Sequence, residues 1–247
     1  MGLSGDDSYE ERCKLHTVCG HDGGILHSGD GRISVVTYHG EFNYSAVNNL
    51  GVSYATGEYI LLLNNDTEVI TANWMEEMLM YAQREDVGAV GAKLYYADKT
   101  IQHAGVVIGL GAHRTAGHTH YRIPVQNLGY MGRLCYTQNV TAVTGACLLV
   151  KKSLYEQVGG LDESFVISLN DVDFCLKLRK LGLLNVWTPF AELYHYESIS
   201  RGLDDQGEKA ERYNRESEHF REKWKLNWRR EIPITIRISL WIEVIMH

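Results

Sequence analysis

EYILLLNNDTEV, residues 58–69, runs from an apolar stretch straight into two amides and a carboxylate, Asn64, Asn65 and Asp66. A short run that is apolar at nearly every position has the character of a strand covered on both faces of its sheet. Amides and a carboxylate beside such a strand are costly to bury unless something binds them. In α/β sheets ligands collect beyond the carboxyl ends of strands. The stretch therefore predicts a buried strand that ends at a binding site.

The neighbouring sequence supplies the rest of an α/β layer. RISVVTYHG (32–40) is β-rich, and NYSAVNNLGVSYATG (43–57) reads as a short helix stopped by Gly57. TANWMEEMLMYAQRED (71–86) has helical periodicity, with Trp74, Met78, Leu79 and Ala82 on one face, and VGAVGAKLYY (87–96) returns to strand. This alternation predicts a mostly parallel, Rossmann-like central sheet flanked by helices. From 101 to 139 the pattern weakens into Gly, His and polar residues, as in a long irregular functional or mobile loop. His118 and His120 lie there without a neighbouring carboxylate or cysteine, so no metal is assigned to them.

VTAVTGACLLVKKSLYEQVGGLDESF (140–165) reads as a strand to Val150, a short helix and a turn at Gly159 and Gly160. NDVDFCLKLRKLG (170–182) reads as a helix with Asn170 as N-cap, Asp173 as the acid of a capping box and Gly182 as its stop. LNVWTPFAELYHYES (184–198) reads as one or two strands with a polar exit at His195. Residues 206–228 form a charged helical pattern, and 234–246 alternate as a half-buried strand. The division expected is a domain over 1–205 and a helix-plus-strand extension over 206–247. That last strand would patch a sheet edge, its own or that of a second copy in a homo-oligomer.

Composition narrows the class. With 45% hydrophobic residues in 247 the chain can bury a core. A net charge of −7 excludes coating of nucleic acid by bulk electrostatics. Five cysteines, an odd count, favour free thiols in a reducing compartment. CKLHTVCGH (13–21) fits no common zinc spacing and reads as a polar surface helix and turn. The start lacks a signal-peptide layout, and no apolar run approaches the roughly 20 residues of a spanning helix. The expectation is a soluble cytoplasmic protein, or one peripheral to the inner face of the membrane.

Four segments in order and register carry a family resemblance: residues 48–69, 87–109, 143–165, and 170–182 with 187–202. Together they resemble a family 2 glycosyltransferase of the GT-A fold, of the bacterial branch that builds rhamnose-containing and other surface polysaccharides. The resemblance implies inverting, divalent-metal-dependent transfer from a UDP- or dTDP-sugar to a saccharide or lipid-linked acceptor. Such a donor leaves a diphosphate, whose added charge Mn²⁺ or Mg²⁺ can neutralise as a Lewis acid. NND then matches the metal-binding acidic triplet, with Asp66 as ligand and Asn64 and Asn65 on the donor side. The bland alternative is a polar turn with Asx capping.

By the same resemblance His195 is the second metal ligand, offering a neutral imidazole nitrogen. Asp171 is the catalytic base, kept ionised by the first turn of its helix. Gly145 and Ala146 let the backbone approach the donor sugar, and Asn49 contacts the donor. Gly160, Asp162, Asn170 and Asp173 fall on the acceptor side. Family members begin with a strand, helix and strand that grip the nucleotide base. Here GLSGDDSYEE, with Asp7, reads as a remnant of that acidic turn, and the first strand and helix are expected to be missing. The alternative this leaves is a non-catalytic GT-A module that binds saccharide or a partner protein.

Overall fold

A computed structural model of the chain describes residues 15–19, 26–27, 33–110, 115–196 and 207–224. The elements, in chain order, begin with β1 (Leu15–Cys19), β2 (Leu26–His27), β3 (Ile33–Thr37), α1 (Tyr44–Tyr54), β4 (Tyr59–Leu63), β5 (Thr67–Val69), α2 (Trp74–Ala82) and β6 (Val87–Tyr95). They continue through β7 (Ile101–His103), β8 (Val106–Ile108), β9 (Ala116–His118), a 3-10 segment (Tyr130–Cys135), β10 (Gln138–Val140), β11 (Cys147–Lys151), α3 (Lys152–Gln157), α4 (Asn170–Lys180), β12 (Leu184–His195) and α5 (Gly207–Trp224).

The central sheet runs β10-β12-β6-β11-β4, with β5 added to β12 and β7 to β6. β6 is buried at every residue, Lys93 included, as its otherwise small and apolar sequence predicts for a strand with both faces covered. One face packs on α2 through Trp74, Met78 and Ala82 against Val90, Leu94 and Leu193. The other packs on α4 and α5 through Phe174, Leu178, Phe220 and Trp224 around Leu148 and Trp187. Burial of each such side chain contributes about 1.5–3 kcal/mol relative to exposure.

The α/β class is as read, and the sheet is mixed. β6 and β12 are parallel, as are β1 and β3, whereas β11 is antiparallel to both β4 and β6. Direction follows connection here. β6 delivers the chain to the end of the sheet where β4 also finishes, and β11 runs back from it with Cys147 opposite Leu63, whereas β10 lies further down beside the start of β12.

Several local readings are corrected. Residues 15–19, expected in a surface helix, form β1 alongside β3, and Cys13 and His21 lie outside the described residues. α1 is capped at its start by the Asn43 side chain, which accepts from Ala46 N, and ends at Ala55, before Gly57. The stretch read as an irregular loop contains β7, the β8–β9 hairpin, the 3-10 segment and β10. The cap of α4 is Leu169, in the left-handed conformation (φ 64°), and Asn170 lies inside the helix. Asp7, the boundary at 205 and the alternating tail fall outside the described residues.

Candidate active site

The turn after β4 is stitched on both sides. Asn64 N donates to Ala146 O at 3.0 Å, and Thr67 Oγ1 donates to Asn64 O at 2.8 Å. β5 then pairs antiparallel with the end of β12, placing His195 opposite Thr67, while Tyr196 N donates to Asp66 O at 2.8 Å. These backbone bonds carry Asp66 Oδ1 to 3.1 Å from His195 Nε2, with side-chain exposures of 35% and 8%.

Gln102, on β7, decides what that contact is. Its Nε2 donates to His195 O at 3.4 Å, which orients the amide, and its Oε1 lies 2.7 Å from His195 Nδ1. In the neutral imidazole this arrangement puts the proton on Nδ1 and the lone pair on Nε2. The Asn64 amide donates to that lone pair at 3.1 Å. Asp66 Oδ1 is buried and takes no hydrogen bond, and in the neutral tautomer the imidazole atom it faces is an acceptor too. Two acceptors held this close repel unless a cation lies between them. Two neighbouring ligands of an octahedral ion with bonds of about 2.1 Å stand about 3.0 Å apart, so the residues fit a small hard cation. Among the described residues no three His, Cys, Asp or Glu side chains gather into a metal cluster. Mg²⁺-like ions commonly take few protein ligands and complete their shell with water and substrate phosphate.

Asp171 stands in the first turn of α4. Its Oδ2 accepts from Gly145 N at 2.9 Å and its Oδ1 from Val172 N at 2.7 Å. Asn170 Oδ1 accepts from Asp171 N at 2.7 Å. Gly145 O in turn accepts from Tyr44 Oη at 2.9 Å, and a Cβ on Gly145 would lie 3.0 Å from that oxygen. Since Ala146 O holds Asn64, one hydrogen-bonded path runs from Asp171 through residues 145 and 146 to Asn64 and His195. A carboxylate offers about four lone-pair positions, so the two backbone bonds leave room for another donor. The left-handed Leu169 costs about 1–2 kcal/mol and lies two residues before this carboxylate, the kind of place where backbone strain gathers.

Other expected site residues are placed elsewhere by the fold. Asn49 Oδ1 accepts from Tyr155 Oη (2.6 Å) and Leu161 N (2.9 Å), and its Nδ2 donates to Leu161 O and Glu163 Oε1, both at 2.9 Å. Its amide is spent on tying the turn at 159–163 to α1. Asp173 is 0% exposed, accepts from Trp224 Nε1 at 2.9 Å and pairs with Lys223 Nζ at 2.7 Å, so it neither caps α4 nor meets an acceptor. Asn170 is buried, with Nδ2 donating to Ile167 O at 3.0 Å. Asp162 Oδ1 accepts from Ser164 N, and its Oδ2 lies 2.6 Å from Lys223 Nζ. Burial pushes the Asp162 carboxyl up, but Lys223 and Ser164 outweigh it and hold the group well below the usual range. Asn65 is exposed on the turn.

Gly160 sits at φ 66°, where an added Cβ would lie 2.6 Å from Asn49 Oδ1. Gly160→Ala is expected to cost about 2 kcal/mol or more from left-handed strain plus displacement of that amide, measurable as a fall in the urea midpoint.

The buried His103 adjoins His195. His103 Nδ1 lies 2.9 Å from His118 Nδ1, and His103 Nε2 accepts from Thr144 N at 3.3 Å, so the proton is on His103 Nδ1. Burial, then the neighbouring His118 and His195, push His103 well below its ordinary value. His120 is pushed from 6.5 down to about 4 by burial, then by Arg133 and Lys93. Because the lowered value belongs to the folded state, the unfolded chain binds more protons between pH 6.5 and 4, and stability falls with pH across that window. Urea titrations from pH 7 to 4.5 are expected to show this loss, and His120→Gln to recover about 1 kcal/mol of it once partial exposure is allowed for.

A family model described as Glycosyl transferase family 2 matches residues 25–159. The uncharacterized protein y4gI of Sinorhizobium fredii is 50% identical over 203 residues, 82% of this chain and 22% of its own length. The O-antigen biosynthesis protein RfbC of Myxococcus xanthus is 41% identical over 176 residues, 71% of this chain and 14% of its own. The chain thus spans about a fifth and a seventh of these relatives. Among solved structures, GalNAc-T7 with UDP, GalNAc and Mn²⁺ superposes with a TM-score of 0.57 at 12% identity, over 76% of this chain and 36% of that one. That likeness is one of fold alone, and it is the GT-A fold. A family match that takes in the Asp66 turn, β6 and β11, on a GT-A sheet, makes this chain a member of glycosyl transferase family 2.

Proposed function

We propose that the domain transfers a sugar, with inversion, from a nucleotide-sugar donor to a saccharide or lipid-linked acceptor in the synthesis of a cell-surface polysaccharide. The observation that carries this reading is the 3.1 Å approach of Asp66 Oδ1 to His195 Nε2, linked through Gly145 to Asp171. Bound there, Mn²⁺ or Mg²⁺ would supply positive charge against the diphosphate as it leaves. Asp66 and His195 would hold the cation, with Gln102 favouring the imidazole tautomer that presents Nε2 to it. Asp171 takes the proton of the acceptor hydroxyl as its oxygen bonds to the anomeric carbon. The bond from that carbon to the diphosphate oxygen breaks, and the electron pair leaves with the diphosphate. The backbone at Gly145 and Ala146 lies between the two groups, where a donor sugar would rest.

The family membership and the relative named for O-antigen biosynthesis support this substrate class. No helix among the described residues is long and apolar enough to cross a membrane. A charged sugar nucleotide does not cross a bilayer unaided, so the reading puts the domain at the cytoplasmic face, where a lipid-linked acceptor presents its saccharide. Purified protein with Mn²⁺, a panel of UDP- and dTDP-sugars and saccharide acceptors is the test, with product anomers read by NMR. Inverted product is expected, and a retained anomer or no transfer overturns the reading.

One observation favours a second reading, a non-catalytic module that binds saccharide or a partner protein. Asn49, read as a donor contact, is consumed by the fold. Calorimetry with UDP and Mn²⁺ separates the two, because the module reading predicts no binding at millimolar nucleotide.

A further inference from the structure

We infer that α5 is the splint that sets the position of Asp171, with Glu216 and Lys223 as its positioning residues; this rests on the base role proposed above. Glu216 is 4% exposed. Its Oε1 accepts from Val166 N at 3.0 Å and Ile167 N at 3.3 Å, and its Oε2 from Ser168 N at 2.7 Å. Three successive amides thus converge on one carboxylate, an anion in a backbone nest. They lie directly before the left-handed Leu169, whose side chain makes no capping bond to α4. Glu216 reaches from another helix to satisfy amides that no residue of the loop's own satisfies.

The same loop is gripped from the opposite side. Tyr44 N donates to Val166 O at 2.8 Å, and Ser45 Oγ to Phe165 O at 2.6 Å. Its carbonyls are therefore tied to α1 and its amides to α5, which leaves the chain little freedom in how it enters α4. Two turns further along α5, Lys223 Nζ bridges Asp162 Oδ2 at 2.6 Å and Asp173 Oδ1 at 2.7 Å, and Trp224 Nε1 donates to Asp173 Oδ1 at 2.9 Å. α5 therefore fastens the 162–173 segment before Asp171, just ahead of it and just beyond it.

None of these bonds touches Asp171, so α5 acts on it through the backbone. Packing of Phe220 and Trp224 into the core would hold the helix in place by itself. A buried carboxylate aimed at three amides adds direction, and direction is what a base must have toward an acceptor hydroxyl.

Glu216→Gln keeps the volume but turns a donor toward one of the amides. In the full chain it is expected to lower kcat by about 10–100-fold, with the donor KM and calorimetric binding of UDP with Mn²⁺ unchanged. In an Asp171→Asn background it should cause no further loss, because the group it positions is gone. Hydrogen exchange at 166–171 should quicken at least about tenfold while β6 stays protected. Lys223→Met should reproduce the kcat loss and Lys223→Arg should restore activity, which gives a second route should Glu216→Gln fold poorly. Full kcat with unchanged exchange overturns the inference, as does a donor KM that rises in step with the fall in kcat, or additive losses in the double variant. If the wild-type protein transfers no sugar at all, the proposed reaction falls, and the exchange measurement still decides for or against the splint.

Discussion

Asp171→Asn is expected to lower kcat by about 10²–10⁴-fold, the range that removal of a general base gives, while binding of nucleoside diphosphate with Mn²⁺ changes less than about twofold. The carboxylate accepts from Gly145 N and Val172 N, one amide on each oxygen. An asparagine keeps one acceptor and presents an amine to the other amide, so part of any loss could reflect a displaced Gly145. Asp171→Ala separates the two effects, since it removes the proton acceptor without setting donor against donor. Equal losses in the two variants, with donor affinity preserved, assign the defect to proton transfer. Wild-type turnover in either removes Asp171 from the mechanism.

Asp66→Ala and His195→Ala are each expected to weaken Mn²⁺-dependent donor binding by about 100-fold or more, because each removes one of the two proposed protein ligands. Gln102→Leu should cost about 10–100-fold with both ligands still present. It frees the imidazole to rotate or to place its proton on Nε2, where it would donate to Asp66 Oδ1 and close the site against a cation. Calorimetry with Mn²⁺ and UDP measures all three. If binding is as tight with EDTA as with Mn²⁺, or Gln102→Leu binds as the wild type does, the two-ligand site is wrong. The same experiment on Asp66→Ala carries an opposite expectation for stability. Oδ1 is buried without a hydrogen bond, so its removal should leave the protein assayed without added cation unchanged or slightly more stable.

The parts of this arrangement that were legible in sequence are those written locally. Asn64, Asn65 and Asp66 follow an apolar run too short and too uniform for a surface helix, and a polar exit from such a strand signals a site. That His195 ends a strand was also readable, and the structure brings it to Asp66. Strand direction was not readable, because β11 has the same apolar character whichever way it runs. Gln102 could not be singled out either. A glutamine in TIQHAG looks like any polar strand residue until the bond to His195 Nδ1 is seen. Asp173 was read as a capping acid because its spacing from Asn170 suits one. Its actual partners, Lys223 and Trp224, stand about 50 residues further on, beyond the reach of any local pattern. Asn49 misled for the same reason, since the turn it ties lies 112 residues away.

Asn64 and His195 stand 131 residues apart in the chain, and this separation governs when the protein can acquire its chemistry. On the ribosome β4 and its turn emerge well before β12, so a growing polypeptide carries half a binding centre until the 131 residues between Asn64 and His195 have been added. Closing so wide a loop is slow compared with forming local hairpins. Competence to hold a cation should therefore appear abruptly, once β12 slots beside β6, and a nascent chain stopped before that strand should neither sequester metal nor act on donor.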